Sequence, residues 1–113
     1  MFINEHLHEN ITLKDLAGAS GLSPSHLHNL FHRATGFAPI EYFLQAKMLA
    51  ASRDLYFSEL PIKDIAYSYG IEDPYYFSRL FKKIIGISPK NYRNSENTDA
   101  RAVSASIYGR VLG

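Results

Sequence analysis

Apolar positions recur along most of this chain at helical rather than strand spacing. Leu27, Leu30, Phe31 and Ala34 fall at i, i+3, i+4 and i+7, and Phe77, Leu80, Phe81 and Ile84 repeat the arrangement. Residues 39–57 run without Gly or internal Pro. There Tyr42, Ala46, Leu49 and Arg53, with Phe43, Met48, Ala51 and Leu55, spread a broad surface round the helix, which predicts packing on both sides. Strand signals are weak: no long period-2 run and no Asn-Gly or Asp-Gly pair. The five prolines read as helix starts, with Ser23, Asp73 and Ser88 as caps before three of them. Gly36 and Gly86 stand where two of those helices should stop. The predicted fold is all-α, with seven helices at about 2–9, 13–19, 24–35, 39–57, 62–68, 74–85 and 89–93. Residues 94–113 open polar and carry no strong apolar stripe, so they read as a tail that frays or forms a short helix.

The two halves repeat one another. At an offset of 49, Leu13-Lys14-Asp15-Leu16-Ala17 overlies Ile62-Lys63-Asp64-Ile65-Ala66, and Gly21-Leu22 overlies Gly70-Ile71. After a one-residue insertion, Pro24 overlies Pro74, Leu27 Phe77, Leu30-Phe31 Leu80-Phe81, Gly36 Gly86 and Pro39 Pro89. Each unit reads short helix, Gly-containing turn, longer helix, which is the helix-turn-helix grammar. Ala17 and Ala66 let the second helix cross closely, Gly21 and Gly70 supply positive φ, and Leu22 and Ile71 plug the turn into the core. The organisation expected is a first unit over about 1–38, a linker helix at 39–57, a second unit over about 58–93, and a tail at 94–113. A plain αα-hairpin shares this grammar, but two such units in tandem favour a DNA-binding role.

Composition bounds the chemistry. Apolar residues make up 46% of the 113 positions, so the chain is globular rather than disordered. Zero Cys removes disulfides and thiolate sites and is compatible with the cytosol. No apolar run reaches the roughly 20 residues of a membrane span, and no membrane partner is expected. The formal net charge of +1 looks unpromising for nucleic acid. Its distribution says otherwise: residues 79–93 hold Arg79, Lys82, Lys83, Lys90 and Arg93 with no acid, while the rest of the chain is net acidic. Charge alone also fits a solvated helix face.

With one stripe of each longer helix buried, the opposite stripe is Ser25, His28, Asn29 and His32 in the first unit. In the second it is Tyr75, Ser78, Arg79, Lys82 and Lys83. Both stripes begin at a helix N-terminus, the end a recognition helix offers to the major groove. Ser25, His28, Asn29, His32, Tyr75, Ser78 and Arg79 carry groups suited to base edges. Lys82, Lys83, Lys90 and Arg93 suit phosphates, as do the helix N-termini near Thr12, Ser23 and Pro61. A linker of 19 residues spans roughly 28 Å at ~1.5 Å per residue. One duplex turn is about 34 Å, so both recognition helices are expected in successive major-groove segments on one face of DNA.

These residues resemble the DNA-binding domain of the AraC/XylS family of bacterial transcription regulators. In the first unit the resemblance lies in Ile11-Thr12-Leu13-Lys14-Asp15-Leu16-Ala17, Gly21-Leu22-Ser23-Pro24-Ser25-His26-Leu27, Leu30-Phe31 and Thr35-Gly36. In the second it lies in Ile62-Lys63-Asp64-Ile65-Ala66, Gly70, Asp73, Tyr76-Phe77-Ser78-Arg79, Phe81-Lys82-Lys83, Gly86, Ser88-Pro89 and Tyr92-Arg93. It covers about residues 1–93. The resemblance implies seven helices, sequence-specific binding of double-stranded promoter DNA, activation through RNA polymerase and a bacterial cytoplasmic setting. Three positions depart from the family pattern: Lys47 stands where Arg is usual, Asp54 where Leu is usual, and Ile71 where Phe is usual. The first unit is also poor in base-reading Arg. Most members attach this domain to a sensor domain that 113 residues have no room for. The chain is therefore expected to be a fragment rather than a stand-alone member. The isolated domain is expected to be a monomer, and the full-length protein a dimer through the missing domain.

Two rival readings use other residues. A metal or enzyme reading must draw on His6, His8, His28 and His32, but no HExxH motif occurs, and a zinc site needs three ligands with second-shell support. Asp15 and Asp64 sit at repeat-equivalent helix positions and read as structural or solvent-facing groups. No catalytic residue, metal ligand or cofactor is expected. A protein-interaction module would use Tyr75, Tyr76 and Tyr108.

Overall fold

The computed structural model describes residues 5–94 of the chain. Within them lie six helices: α1 (Leu13–Ser20), α2 (Pro24–Thr35), α3 (Pro39–Phe57), α4 (Ile62–Ser68), α5 (Pro74–Ile85) and α6 (Pro89–Asn94), and no strand. The caps explain most of the starts. Thr12 and Asp15 form a reciprocal capping box on α1. Ser23 accepts from the His26 amide at α2, Asp73 from Tyr75 at α5 and Ser88 from Asn91 at α6. Gly21 and Gly70 take φ of 74° and 78° in the two helix-turn-helix turns, the left-handed conformation that favours glycine.

The expected helix at 2–9 is corrected where it can be seen. Residues 2–4 fall outside the described residues; Glu5 is helical, 6–8 form a turn closed by Glu9 N donating to His6 O, and the chain is then extended. The physical reason is long-range: His8 and Asn10 donate to backbone carbonyls 60 residues away, which holds this segment off helical geometry.

The linker helix α3 is the axis of the core and touches all the other described helices. Tyr42, Phe43, Ala46, Met48, Leu49, Ala51 and Leu55 are all buried, on every side of the helix. Burial around it is lopsided. Among the described residues, the second unit contributes Ile65, Ala66, Tyr69, Ile71, Phe77, Phe81, Ile85 and Tyr92, whereas the first contributes Leu16, Ala17 and Leu27. The expected buried stripe on α2 is thus only partly realised. Leu27 is buried and Phe31 half-buried, but Ala34 is exposed and Leu30 is 40% exposed. Leu13, Leu22 and Phe31 pack against the core only partly buried, and the Phe31 ring meets Tyr42 of α3 edge-on with centroids 5.1 Å apart.

Candidate nucleic-acid interface

Both longer helices of the repeat turn polar faces to solvent. On α2, Ser25, His28, Asn29 and His32 are exposed. His28 and His32 stack with ring centroids 6.2 Å apart. With Asn29 and Arg33 they line an open hollow of about 450 Å³, and a second hollow of about 390 Å³ joins Leu13, Pro24, Ser25, His28 and Asn29. The α2 candidates therefore share one concave surface beside the start of α1. Arg33, which the sequence reading left out, belongs to it because it follows His32 round the helix.

On α5, Tyr75 is 76% exposed, Arg79 exposed and Ser78 half-buried, while Phe77 and Phe81 on the other side are fully buried. Lys82 and Lys83 are exposed in the last turn of α5, and Lys90 is exposed on α6. Arg79, Lys82 and Lys83, at i, i+3 and i+4, share a solvent-facing side of α5, and Lys90 adds an exposed cation on α6.

Two phosphate candidates are placed differently from their neighbours. Arg93 is half-buried, and its Nε donates to Leu55 O of α3 at 3.0 Å, so its guanidinium braces α6 against the linker. Thr12 is exposed, but its Oγ already accepts from the Asp15 amide at 3.1 Å, and its own amide donates to Asp15 Oδ2 at 2.9 Å. Those bonds hold the Asp15 carboxyl below its usual range. Among the α1 groups an anion would meet, Asp15 is a repelling one. Tyr108 of the interaction reading lies outside the described residues. Among the described residues, no three His, Asp or Glu side chains gather as metal ligands, and no helix is long and apolar enough to cross a membrane.

The site also rests on a residue that the sequence reading noted only as a departure. Lys47 lies mid-way along α3 and is 1% exposed. Its Nζ donates to Glu9 O at 2.6 Å and to Tyr69 O at 2.8 Å, and stands 4.8 Å from the centre of the Phe43 ring. Carbonyl oxygens and an aromatic face hold this cation, and burial pushes its ammonium from 10.5 down to about 8. Tyr69 is gripped at its other end too: its hydroxyl donates to Asp54 Oδ2 at 2.6 Å. Burial first, then the Asp54 carboxylate, pushes the phenol well above the usual tyrosine range. The His8 ring stacks on Tyr69 with centroids 4.6 Å apart. His8 Nδ1 donates to Ser68 O at 2.6 Å, which fixes the tautomer because a carbonyl only accepts. Asn10 Nδ2 donates to Gly70 O at 2.7 Å. Three successive carbonyls at the end of α4 thus receive donors from outside the second unit. That helix has no basic residue in its own last turn, and Lys47 supplies the positive charge its C-terminus favours.

Comparison with known proteins bears on the family of the fold. The family described as a helix-turn-helix domain matches residues 16–95. The MmsAB operon regulatory protein of Pseudomonas aeruginosa is 38% identical over 92 residues, which are 81% of this chain and 30% of that protein. The HTH-type transcriptional activator AarP of Providencia stuartii is 31% identical over 96 residues, 85% of this chain and 71% of that protein. The DNA-binding domain of AdpA, a global transcriptional factor solved in complex with a target DNA, superposes with a TM-score of 0.74 at 28% identity, covering 82% of this chain and 84% of that one. The chain spans about a third of the length of the first curated relatives it matches. Two tandem units on a shared linker helix and these matches together place the chain in the AraC-type helix-turn-helix family of transcription-regulator DNA-binding domains.

Proposed function

We propose that this chain binds a specific double-stranded promoter site, with α2 and α5 in successive major-groove segments, and that it regulates transcription as an activator. The observation that carries the reading is the two-sided character of α5. Phe77 and Phe81 fix the helix on α3, and the opposite face carries Tyr75, Ser78 and Arg79 followed by Lys82 and Lys83. Arg79 has the fork for guanine, Asn29 the amide for adenine, and Ser25, His28, His32, Ser78 and Tyr75 add further base-edge contacts. Lys82, Lys83 and Lys90 neutralise phosphates. Thr12 reaches phosphate only through the hydrogen of a hydroxyl whose oxygen caps α1. Activation is supported by relatives that are themselves named activators, and contact with RNA polymerase is the route proposed for it.

Binding to a duplex selected from a random pool, measured against salt, tests the reading. Several phosphate contacts predict an affinity that falls steeply and log-linearly with salt. No salt-sensitive binding to any duplex would sink it, and would favour a protein partner for the exposed Tyr75 and Tyr76.

A further inference from the structure

We infer that Lys47 is a positioning residue that sets the phase of one recognition helix against the other, through a clasp of residues 8–10 and Asp54 on the turn of the second unit. This rests on the proposed reading of two groove segments. The first unit and the second unit are joined by α3, and a second connection runs beside it. The segment that leads into α1 reaches across and seats on residues 68–70. Lys47 is the centre of that junction, because its ammonium bonds the leader at Glu9 O and the turn at Tyr69 O at once. Tyr69 is in turn fixed at its hydroxyl by Asp54, on the same helix as Lys47. Lys47 and Asp54, both on α3, therefore meet on one tyrosine.

The turn they hold is the one that orients α5. Gly70 follows Tyr69, and Ile71, Asp73 and the start of α5 follow Gly70. A Cβ at Gly70 would stand 3.3 Å from both Asn10 Oδ1 and His8 O, so leader and turn are in direct contact. Three independent bonds to consecutive carbonyls define an orientation, where one bond would leave a pivot. A protein reading two groove segments gains from the second only if both helices arrive in phase, since linked modules lose their joint advantage when geometry forbids simultaneous engagement.

The test uses the selected duplex and the same duplex with the segment read by the first unit scrambled. Wild-type protein is expected to bind the intact duplex at least about tenfold more tightly than the scrambled one. Lys47→Met keeps the volume and removes the charge; it should lose most of that ratio while its affinity for the scrambled duplex stays within about twofold. Lys47→Arg, which keeps a charged multiple donor, should restore the ratio. A contribution to stability alone would lower the melting temperature and leave the ratio intact, and a Lys47→Met protein with the wild-type ratio overturns the inference. If Lys47→Met does not melt cooperatively, the exposed Asn10→Ala removes one bond of the clasp and carries the same expectation: a reduced ratio supports the inference and an unchanged one overturns it. A wild-type protein that gains nothing from the intact segment refutes the two-segment reading itself, a result read before any variant is made.

Discussion

At the scale of the residue, charge acts in two opposite settings. Arg79, on the open face of α5, keeps its guanidinium available in solvent. Arg79→Ala is expected to cost about 1–3 kcal/mol of binding and to relax preference at one or two base pairs. Lys83→Ala should weaken all sequences alike and reduce the salt slope by about 1. A competition assay over single-base variants of the selected duplex separates the two. Lys47 is the opposite case, a cation removed from water. Its folded value of about 8 lies below its ordinary 10.5, so between these the folded chain releases a proton that the unfolded chain keeps. Stability therefore rises as pH increases through that window, and this gain is lost as pH falls back through the folded value. Chemical denaturation of wild type and Lys47→Met across the window measures it: the rise should belong to the wild type and be missing from the variant. Tyr69, whose phenol is pushed up by burial and by the Asp54 carboxylate, should ionise only well above the usual tyrosine range, so Tyr69→Phe should leave the phenolate absorbance gained below that range unchanged.

At the scale of the element, burial decides what a substitution costs. Phe81 is fully buried between α5 and α3, and Phe81→Ala should cost roughly 3–5 kcal/mol through the cavity it leaves. Leu30 of the α2 stripe, the counterpart of Leu80 in the repeat, is 40% exposed, and Leu30→Ala should cost less than about 1 kcal/mol. Urea melts of the two variants give the contrast. The turn glycines divide in the same way. Both Gly21 and Gly70 have positive φ, but nothing lies within 4 Å of a Cβ at Gly21, while one at Gly70 meets the leader. Gly21→Ala is expected to cost about 1 kcal/mol and Gly70→Ala more, since it adds a tight contact with His8 O and Asn10 Oδ1 to the strain. The helices from α1 to α6 were legible in the sequence because prolines, caps and 3.6-residue spacing are local signals. The leader was not. Its shape is set by His8 and Asn10 bonding to partners 60 residues on, and no local period encodes that. The exposure of Leu30 escaped for a related reason: spacing names the face of a helix, and only the amount of neighbouring structure says how deeply that face is covered. Arg93, a phosphate candidate, also donates its Nε to Leu55 O, a contact 38 residues away that no local pattern encodes.

At the scale of the molecule, the two units are unequal. Among the described residues, the first contributes three buried apolar residues to the core and the second eight. The amides of α1 and α2 should therefore exchange with solvent through openings of lower free energy than those of α3 and α5, as native-state hydrogen exchange would read. Equal protection across both units would contradict that picture. The inequality runs the other way from the candidate chemistry on α2: its exposed His, Asn and Ser face lies on the less firmly held unit, and the cationic face on the firmly held one.

The seating of residues 8–10 on the second turn has a consequence for divisibility. Sequence comparison marks two copies of one unit, as though either could be cut free. A chain severed after Phe57 would leave the carbonyls of Ser68, Tyr69 and Gly70 without the donors that now satisfy them, because those donors belong to the leader and to the linker helix. The later copy is finished by the opening residues of the earlier one.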